Sequence, residues 1–304
     1  MKETDFDKLI ILSDIHYETI KGDLIYWHHI EEDKIKDQRY LLKLLMLEKY
    51  KNTEDVEIQK ILQYWEKNEV SLFNQYVENG KEKYIVQWDC IENMPYIMYE
   101  DKRMYFPYDF WFQEYEGKKI IMDIWAEQQD TSPHRYINGD IRVEQGDVIV
   151  DAGVQEGNFS LRYIEKASKA YLFECDKRWI KPLQQTFRKF KDKVVLYNGF
   201  LGQYHAGEYL NLDHAVGKRV DFLKMDVEGA EVEALLGGRE MFLNNEIKCS
   251  ICSYHKSGDE AAIKDILNSY GYRTNTSEGY MLFHFEKNIF STLDFRRGIV
   301  YARK

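Results

Sequence analysis

From about Gly146 to the C-terminus, short apolar segments alternate with amphipathic segments, a pattern that few folds accommodate. The apolar segments are typical of buried strands and read DVIVDAG, KAYLFECD, VVLYNGF, VDFLKMDV and IKCSICSY. Helical patterns lie between most of them, and such alternation indicates a parallel sheet covered on both faces. Two further strand-like segments, YMLFHFE and RRGIVYARK, follow without a helix between them. The sequence therefore predicts an α/β fold whose mostly parallel sheet ends in a C-terminal antiparallel hairpin.

The first third of the chain has a different pattern. Residues 34–50 and 54–79 place apolar side chains near one face of a 3.6-residue helical repeat. Strand-like segments follow, two of them on either side of a polar turn at residues 100–103. We therefore expect a helical and β accessory region over residues 1–115 and the α/β domain over residues 116–304. Some aromatic residues of the accessory region are hypothetical lid residues over a ligand, with core packing as the alternative: Trp88, Tyr96, Tyr108 and Trp111.

The first strand of the α/β region ends in a loop with the pattern of a nucleotide-binding turn. In VIVDAGVQEGNFSL, Asp151, Gly153 and Gly157 precede a helical segment that begins near Asn158. The dinucleotide fingerprint G-x-G-x-x-G has a middle glycine that lets the backbone approach a pyrophosphate, and this loop lacks it. Glu174 ends the second strand, where a carboxylate is placed to accept hydrogen bonds from both ribose hydroxyls. The loop therefore predicts a ligand with a ribose and no diphosphate.

S-adenosylmethionine has this chemistry, with a nucleoside at one end and an amino-acid tail at the other. We expect Glu174 to bind its ribose and Asp151 to serve its ammonium group, directly or through water. The segment DTSPHRYINGD precedes the first strand. Four of its residues are expected to close over the methionine tail, whose carboxylate would meet Arg135 or a serine hydroxyl: Ser132, His134, Arg135 and Tyr136. A polar linker is the alternative. The remaining predicted cofactor contacts are Gly153, Gly157, Asn158, Cys175, Asn198 and Asp226.

The fourth strand carries the most specific string of the sequence, VDFLKMDVEGAEVEALLGG, at residues 220–238. DFLKMDVEGAE resembles the core signature of FkbM-type methyltransferases, S-adenosylmethionine-dependent enzymes that mostly O-methylate sugars and natural products. Other pieces occur in the order expected of that family: VDAGVQEGNFSL, YLFECD, LNLDHAV and ICSYHKSGDEAAIKDILNSYGY. The resemblance covers about residues 130–304 and not residues 1–115. It departs at VQEG, where many members carry an Asn-Ile-Gly type loop.

The resemblance implies a Rossmann-like class I methyltransferase sheet. It also implies methyl transfer from S-adenosylmethionine to a hydroxyl of a small molecule, such as a sugar or a polyhydroxylated metabolite. Two alternatives stay open: N- or carboxyl methylation of a small molecule or peptide, and a catalytically silent module that binds cofactor or a partner protein. A nicotinamide-dependent reductase is disfavoured because the loop lacks the middle glycine.

Three polar residues at the ends of the fourth and fifth strands are candidates for catalysis. Asp226 ends a buried strand, where a carboxylate is costly unless it is paired or functional. Methyl transfer to a hydroxyl needs alignment and a base, so we expect Asp226 or Glu228 to hold or deprotonate the acceptor. His255 is the other candidate base because imidazole titrates near neutral pH. For Glu231, the expected role is to cap a helix N-terminus.

The spacing of the potential ligands predicts no metal site. ILSDIH at residues 11–16 imitates the opening of metallophosphoesterases, but the later histidines lack the spacing of that family. Cys249 and Cys252 stand three residues apart on a predicted strand and therefore face opposite sides. We expect these cysteines to be core residues rather than ligands.

Composition narrows the class of partner. The formal net charge of −10 argues against a general nucleic-acid binder, which needs a basic surface. Four cysteines do not make a disulfide framework, and the N-terminus lacks the apolar run of a signal peptide. No segment approaches the roughly 18 apolar residues of a membrane span. We therefore expect a cytoplasmic protein with a small-molecule acceptor and no nucleic-acid or membrane partner, while homo-oligomerisation stays open.

Overall fold

A computed structural model describes residues 32–77, 85–108, 124 and 126–304 of the chain. The ILSDIH segment and Trp111 lie outside the described residues. Over the described ranges, no helix combines the length and the apolar character needed to cross a membrane.

The secondary structure alternates as expected in the second half of the chain. The described helices are α1 (Glu32–Tyr50), α2 (Val56–Trp65), α3 (Asn158–Tyr163), α4 (Lys177–Thr186), α5 (Leu212–Ala215), α6 (Glu231–Leu236), α7 (Arg239–Asn244), α8 (Asp259–Ser269) and α9 (Ile289–Thr292). The described strands are β1 (Gln87–Asp89), β2 (Met94–Tyr99), β3 (Lys102–Tyr105), β4 (Val148–Ala152), β5 (Lys169–Glu174), β6 (Val194–Asn198), β7 (Phe200–Leu201), β8 (Tyr209–Leu210), β9 (Phe222–Met225), β10 (Lys248–Cys252), β11 (Arg273–Thr276) and β12 (Ile299–Arg303).

Seven strands form one sheet in the order β11–β12–β10–β9–β4–β5–β6. The central strand β4 pairs in parallel with β5 on one side and with β9 on the other. Strand order therefore reverses between β4 and β9. The last strand, β12, runs antiparallel to both of its neighbours, β10 and β11. The predicted α/β class, with a mostly parallel sheet and an antiparallel C-terminal pair, is confirmed.

Both faces of this sheet are buried, each against its own core cluster. Consecutive side chains of a strand point to opposite faces, so neighbouring residues of one strand pack into different clusters. In β4, Ile149 packs into one core cluster, whereas Val148 and Val150 pack into another. In β10, Cys249 and Cys252 also lie in different clusters. The two cysteines are thus core residues on opposite faces, as their spacing predicts.

The described residues divide into two compact units, one within residues 1–75 and 280–295 and the other within residues 76–279 and 296–304. The expected boundary near residue 115, between an accessory region and the α/β domain, stays a prediction. The segment with β1, β2 and β3 falls in the second unit because β3 packs on α4, where the backbone N–H of Tyr105 donates to Thr186 Oγ1 at 3.0 Å. Phe106 adds an edge contact to Trp179, with ring centroids 6.0 Å apart.

In the first unit, the helix predicted over residues 54–79 is shorter than expected. It begins at the cap of Asp55, whose Oδ1 accepts the backbone N–H of Glu57 at 2.8 Å, and it ends at Trp65. The Trp65 indole N–H donates to Asn74 Oδ1 at 2.9 Å, so the following segment folds back along the helix.

Two strand predictions are wrong. Residues 280–286, YMLFHFE, form no strand and belong to the first unit, where the N–H of Leu282 donates to the carbonyl of Leu72 at 3.0 Å. The antiparallel partner of β12 is instead β11. The segment KKIIMDIWAEQQ is helical rather than extended at these described positions: Ile124, Ala126 and Glu127.

Candidate functional site

A cleft of about 360 Å³ opens at the carboxyl ends of β4, β5 and β9. Ligands of parallel sheets bind beyond these ends at the point where strand order reverses, and β4 and β9 flank that point here. The predicted site residues that line the cleft are Tyr136, Gly153, Asn158, Glu174, Cys175, Asp226 and Glu228. Those that do not line it are Ser132, Asp151, Gly157, Asn198 and His255.

Gly153 lets the loop after β4 lie directly against the end of β9. Its φ of +78° is in the left-handed region, and a Cβ at this position would lie 1.6 Å from the carbonyl oxygen of Asp226. The N–H of Asp226 in turn donates to the carbonyl of Ala152 at 2.8 Å. The two strand ends are therefore held together at the floor of the cleft, and only glycine fits there.

Glu174 lies at the end of β5 with its carboxylate turned toward the loop. Its Oε2 accepts the N–H of Gln155 at 2.8 Å, and its Oε1 accepts the N–H of Asp176 at 2.7 Å. Because an ionised carboxylate has about four acceptor positions, these two bonds leave capacity for ligand hydroxyls. Asn198 does not reach the cleft; its side-chain amide donates to the carbonyls of Glu174 and Cys175 at 2.9 and 3.2 Å and so braces this strand end.

Asp151 lies beneath the cleft rather than in it. It is fully buried, its Oδ1 is 3.2 Å from Lys224 Nζ, and its Oδ2 accepts the hydroxyl of Ser160 at 2.7 Å. Asp151 and Lys224 are paired positions of the neighbouring strands β4 and β9. The placement does not fit the direct ammonium contact expected of Asp151, because both carboxylate oxygens already contact buried partners.

Lys224 is a site residue that the sequence analysis missed. It lines the cleft, donates to the carbonyl of Gly153 at 2.5 Å, and lies over the ring of Tyr136. Burial alone would lower the pKa of Lys224, but the carboxylates of Asp151 and Asp226 raise it above its ordinary value. A lysine in the apolar string FLKM was the available signal, because a buried ammonium needs an acidic partner.

Asp226 is the centre of a polar cluster on one wall of the cleft. Its contacts are Tyr136 Oη at 2.8 Å, Tyr254 Oη at 3.2 Å, His255 Nε2 at 3.3 Å and His134 Nε2 at 3.6 Å. Burial raises the pKa of Asp226, but the contact with His134 and the charge of Lys224 outweigh it and hold the pKa well below its usual range. Asp226 is therefore ionised and a weak proton acceptor.

His255 contacts the same cluster from the end of β10. Its Nε2 lies 3.4 Å from Glu228 Oε2, and its Nδ1 lies 3.0 Å from Glu231 Oε1. Burial lowers the pKa of His255, but the contact with Glu231 and the charge of Asp226 raise it to about 9. The imidazole is therefore protonated at neutral pH. Neither His255 nor Asp226 fits the base role that the sequence suggested, because one already carries a proton and the other binds one too weakly.

The approach segment contributes one residue to the cleft, Tyr136. Ser132 is buried outside it, and its Oγ accepts the N–H of His134 at 3.2 Å. Arg135 forms an exposed ion pair with Asp130 at 3.0 Å. Of the residues predicted to close over a methionine tail, only Tyr136 therefore lines the cleft.

The hypothetical lid residues lie away from the cleft wherever they are described. Trp88 packs edge-on against Tyr108, with ring centroids 5.6 Å apart. Tyr96 is buried beside Tyr105, with ring centroids 5.5 Å apart. None of the three lines the cleft. Tyr96 is buried, whereas Tyr108 is 45% exposed.

Glu156 is a second cleft residue that sequence reasoning missed. It lies in the VQEG loop, is buried and lines the cleft. Burial raises the pKa of Glu156 from 4.5 to about 7, although its own backbone N–H and the charge of Lys224 lower it. Its carboxyl group therefore changes charge near neutral pH.

Glu156→Gln is expected to raise the free energy of unfolding at pH 8.5 by up to roughly 3 kcal/mol and to change it little near pH 5. The neutral carboxyl stabilises the fold fully below pH 4.5, and this contribution is lost as the pH rises through about 7. Urea unfolding at both pH values measures the difference. Glu246→Gln, an exposed carboxylate just before β10, is the control. Equal curves for Glu156→Gln and the parent at pH 8.5 would contradict the buried titration.

A comparison with protein families matches one segment of the chain. Residues 200–274 match the model described as the methyltransferase FkbM domain. The resemblance to FkbM methyltransferases is confirmed. The matched segment contains β9, Asp226 and His255 and is 75 of the 304 residues of the chain.

Solved structures with similar folds include three methyltransferases. An FkbM methyltransferase from Methylobacillus flagellatus KT is 19% identical, with a TM-score of 0.43, over 53% of this chain and 44% of that chain. A precorrin-6y C5,15-methyltransferase from Geobacter metallireducens GS-15 is 14% identical, with a TM-score of 0.37, over 54% and 84%. An rRNA methylase from Streptococcus thermophilus is 15% identical, with a TM-score of 0.34, over 53% and 89%. The match therefore spans less than half the length of the Methylobacillus chain. No curated protein matches the sequence.

Proposed function

We propose that this protein transfers a methyl group from S-adenosylmethionine to a hydroxyl of a small polyhydroxyl molecule, such as a sugar. The observation that carries the proposal is the placement of Glu174, a carboxylate with spare acceptor capacity at the end of β5 and on the wall of the cleft. A carboxylate at this position of a Rossmann-like sheet accepts hydrogen bonds from ribose hydroxyls. S-adenosylmethionine supplies an electrophilic methyl carbon, and the chain supplies binding and alignment.

The charge of the cleft also supports this ligand. Six carboxylates line it: Glu127, Glu156, Glu174, Asp176, Asp226 and Glu228. Two cationic side chains line it: Arg178 and Lys224. Such a wall attracts the sulfonium and ammonium groups of the cofactor and repels phosphates. The same field disfavours a polyanionic acceptor such as RNA, so a neutral acceptor is the better fit.

The polar cluster of Asp226, Glu228 and His255 is the wall at which we expect the acceptor hydroxyl to bind. Tyr136 and Tyr254 hold the Asp226 carboxylate, so its orientation is fixed before the acceptor arrives. Alignment of two bound reactants contributes several kcal/mol to the lowering of a displacement barrier, on the order of 7–11 in well-oriented systems. Positioning, rather than proton abstraction by Asp226 or His255, is the role that their protonation states support.

Turnover with labelled S-adenosylmethionine on a panel of glycosides, peptides and tRNA tests the acceptor class. Methylation of glycosides alone supports the proposal. Transfer to peptide amines or carboxylates would move the activity to the N- or carboxyl-methylating alternative, and transfer to tRNA would overturn the charge argument. Tight binding of S-adenosylhomocysteine without turnover on any acceptor would favour the silent module.

Glu174→Ala is expected to weaken binding of S-adenosylhomocysteine by about 1–3 kcal/mol, or about 5- to 150-fold, because ribose hydroxyls lose a charged acceptor. Isothermal titration calorimetry measures the change. The control is Glu246→Ala, which removes an exposed carboxylate at the amino end of β10, on the opposite edge of the sheet. Unchanged affinity in Glu174→Ala, with circular dichroism like that of the parent, would contradict the ribose assignment.

A further inference from the structure

Glu156 is a buried carboxyl group on the wall of the cleft. Its residue is only 6% exposed, and its charge interacts with those of Lys224 and Asp226, two other residues of the cleft. Across the described ranges, no other side chain donates a hydrogen bond to this carboxyl group or forms an ion pair with it. An ionised carboxylate has about four acceptor positions, and buried polar groups normally have partners. Glu156 therefore has acceptor positions that are left for a ligand of the cleft.

The loop between β4 and α3 holds Glu156 in place from both sides. Just before it, the N–H of Gln155 donates to Glu174 Oε2 at 2.8 Å. Just after it, the N–H of Gly157 donates to the carbonyl of Val154 at 2.9 Å. These bonds fix the backbone of Glu156 next to the carboxylate that is proposed to bind ribose. The same short loop therefore lies beside the ribose site and carries a second, buried carboxyl group.

Three other carboxylates of the cleft are less suited to binding a cationic group. Asp226 already accepts the hydroxyls of two tyrosines. Asp176 pairs with Arg178 at 2.6 Å, and the side chain of Glu228 is 90% exposed. Glu156 differs from these three because it is buried and has no side-chain partner in the part of the chain that the structure describes.

The amino-acid tail of S-adenosylmethionine carries the donor that Glu156 lacks. Its ammonium group has three N–H donors, whereas its sulfonium centre has none. The sequence suggested that Asp151 serves this ammonium group, but Asp151 lies beneath the cleft, with its oxygens in contact with Lys224 and Ser160. Glu156 is five residues later in the same turn and lines the cleft itself. Hydrogen bonds between an ammonium group and a carboxylate are among the stronger ones in proteins.

We propose that Glu156 binds the ammonium group of S-adenosylmethionine, in the role that the sequence suggested for Asp151. This assignment rests on the proposed function, because it takes S-adenosylmethionine as the ligand of the cleft. It also accounts for a buried carboxyl group whose ionisation is expected to lower the stability of the free protein. Residues that are costly in the free protein are typical of binding sites, where the ligand supplies the missing partner.

The charge state of Glu156 makes binding of the ammonium group depend on pH. Burial raises the pKa of Glu156 to about 7; the charge of Lys224 lowers it, and those of Asp151 and Asp226 raise it. The ammonium group of the ligand keeps its proton near neutral pH, and it needs the ionised form of the carboxyl group. Affinity for S-adenosylhomocysteine should therefore rise about tenfold between about pH 6 and about pH 8, as the ionised fraction rises from about one tenth to about nine tenths.

The test is isothermal titration calorimetry on the full chain with two ligands. S-adenosylhomocysteine carries the ammonium group, whereas methylthioadenosine keeps the nucleoside and the thioether and lacks the amino-acid tail. Glu156→Gln should weaken binding of S-adenosylhomocysteine at least about tenfold at about pH 8 and remove its pH dependence, because a charged hydrogen-bond partner is lost. Binding of methylthioadenosine should change little. Glu174→Ala should weaken binding of both ligands, and the control Glu246→Gln, which alters an exposed carboxylate before β10, should leave both unchanged.

Glu156→Gln is expected to unfold no more readily than the parent, so loss of folding does not explain weaker binding, and urea unfolding of the same samples checks this. The tail also carries a carboxylate, whose binding the loss of a negative charge would strengthen, so weaker binding identifies the ammonium group. Unchanged affinity for S-adenosylhomocysteine in Glu156→Gln, or equal weakening for both ligands, would overturn the assignment and leave the proposed function standing. Failure of both ligands to bind the parent chain would overturn the proposed function and the assignment with it.

Discussion

Gly153→Ala is expected to lower the free energy of unfolding by more than about 4 kcal/mol, a loss that single substitutions rarely reach. Two costs add at this position. The φ of +78° strains any residue with a Cβ, by about 1–3 kcal/mol. In addition, the new Cβ would lie 1.6 Å from the carbonyl oxygen of Asp226, so the ends of β4 and β9 must separate. Urea unfolding followed by circular dichroism measures the loss.

Gly146→Ala is the matched control for this prediction. Gly146 has a similar φ of +87°, but a Cβ there would meet nothing within 4 Å. Gly146→Ala should therefore lower the free energy of unfolding only by the strain cost of about 1–3 kcal/mol. The difference between the two variants isolates the overlap with Asp226. Equal losses of unfolding free energy in the two variants would show that the loop can move away from β9. The floor of the cleft would then not be rigid.

The parallel core of the sheet could be predicted because its strands are buried on both faces. Such strands appear in a sequence as short continuous apolar runs, and DVIVDAG and KAYLFECD contain β4 and β5. The YMLFHFE segment has the same appearance and forms no strand. What decides its structure is packing in the first unit, near Leu72, and apolar periodicity alone carries no information about such long-range contacts.

The residues of the candidate site were also only partly predictable from the sequence. Gly153, Glu174 and Asp226 could be assigned to the cleft because they end neighbouring strands, and strand ends meet at one edge of a parallel sheet. Asp151 is one residue earlier in its strand, and the alternation of side chains directs it into the core instead. Glu156 could not be recognised, because its raised pKa depends on burial in the folded loop.

The base assignment stays a prediction, and the charges that the fold brings around His255 argue against it. From the sequence, His255 has an ordinary imidazole pKa and fits proton transfer near neutral pH. In the fold, the carboxylates of three acidic residues surround the imidazole: Asp226, Glu228 and Glu231. Their combined charge raises the pKa of His255 to about 9, against the opposite effect of burial. Spacing in the sequence predicts that these groups meet and does not predict which of them keeps a proton.

Lys224→Met is expected to lower the free energy of unfolding by about 3–5 kcal/mol, because it leaves buried carboxylates without their cation. Lys224 Nζ lies 3.2 Å from Asp151 Oδ1, and both side chains are almost completely buried. The raised pKa of Lys224 means that its contribution is fully present below about pH 10.5 and is lost only as the pH rises further. Unfolding measured at pH 7 therefore reports the whole effect. Lys177→Met, which breaks an exposed pair with Glu208, is the control and should cost about 0–1 kcal/mol.

The double variant Asp151→Asn with Lys224→Met separates the ion pair from general loss of packing. Removing both charges takes away the uncompensated carboxylate, so the double variant should be more stable than Lys224→Met alone, by on the order of 1–3 kcal/mol. Recovery should be incomplete, because Asp226 also loses the positive charge that helps to keep it ionised. A double variant no more stable than Lys224→Met would mean that Lys224 acts through its contacts with Gly153 and Tyr136 and not through Asp151. In that case the Asp151–Lys224 ion pair would not be what stabilises the fold. Recovery of stability in the double variant would instead show that this ion pair holds β4 and β9 together beneath the site.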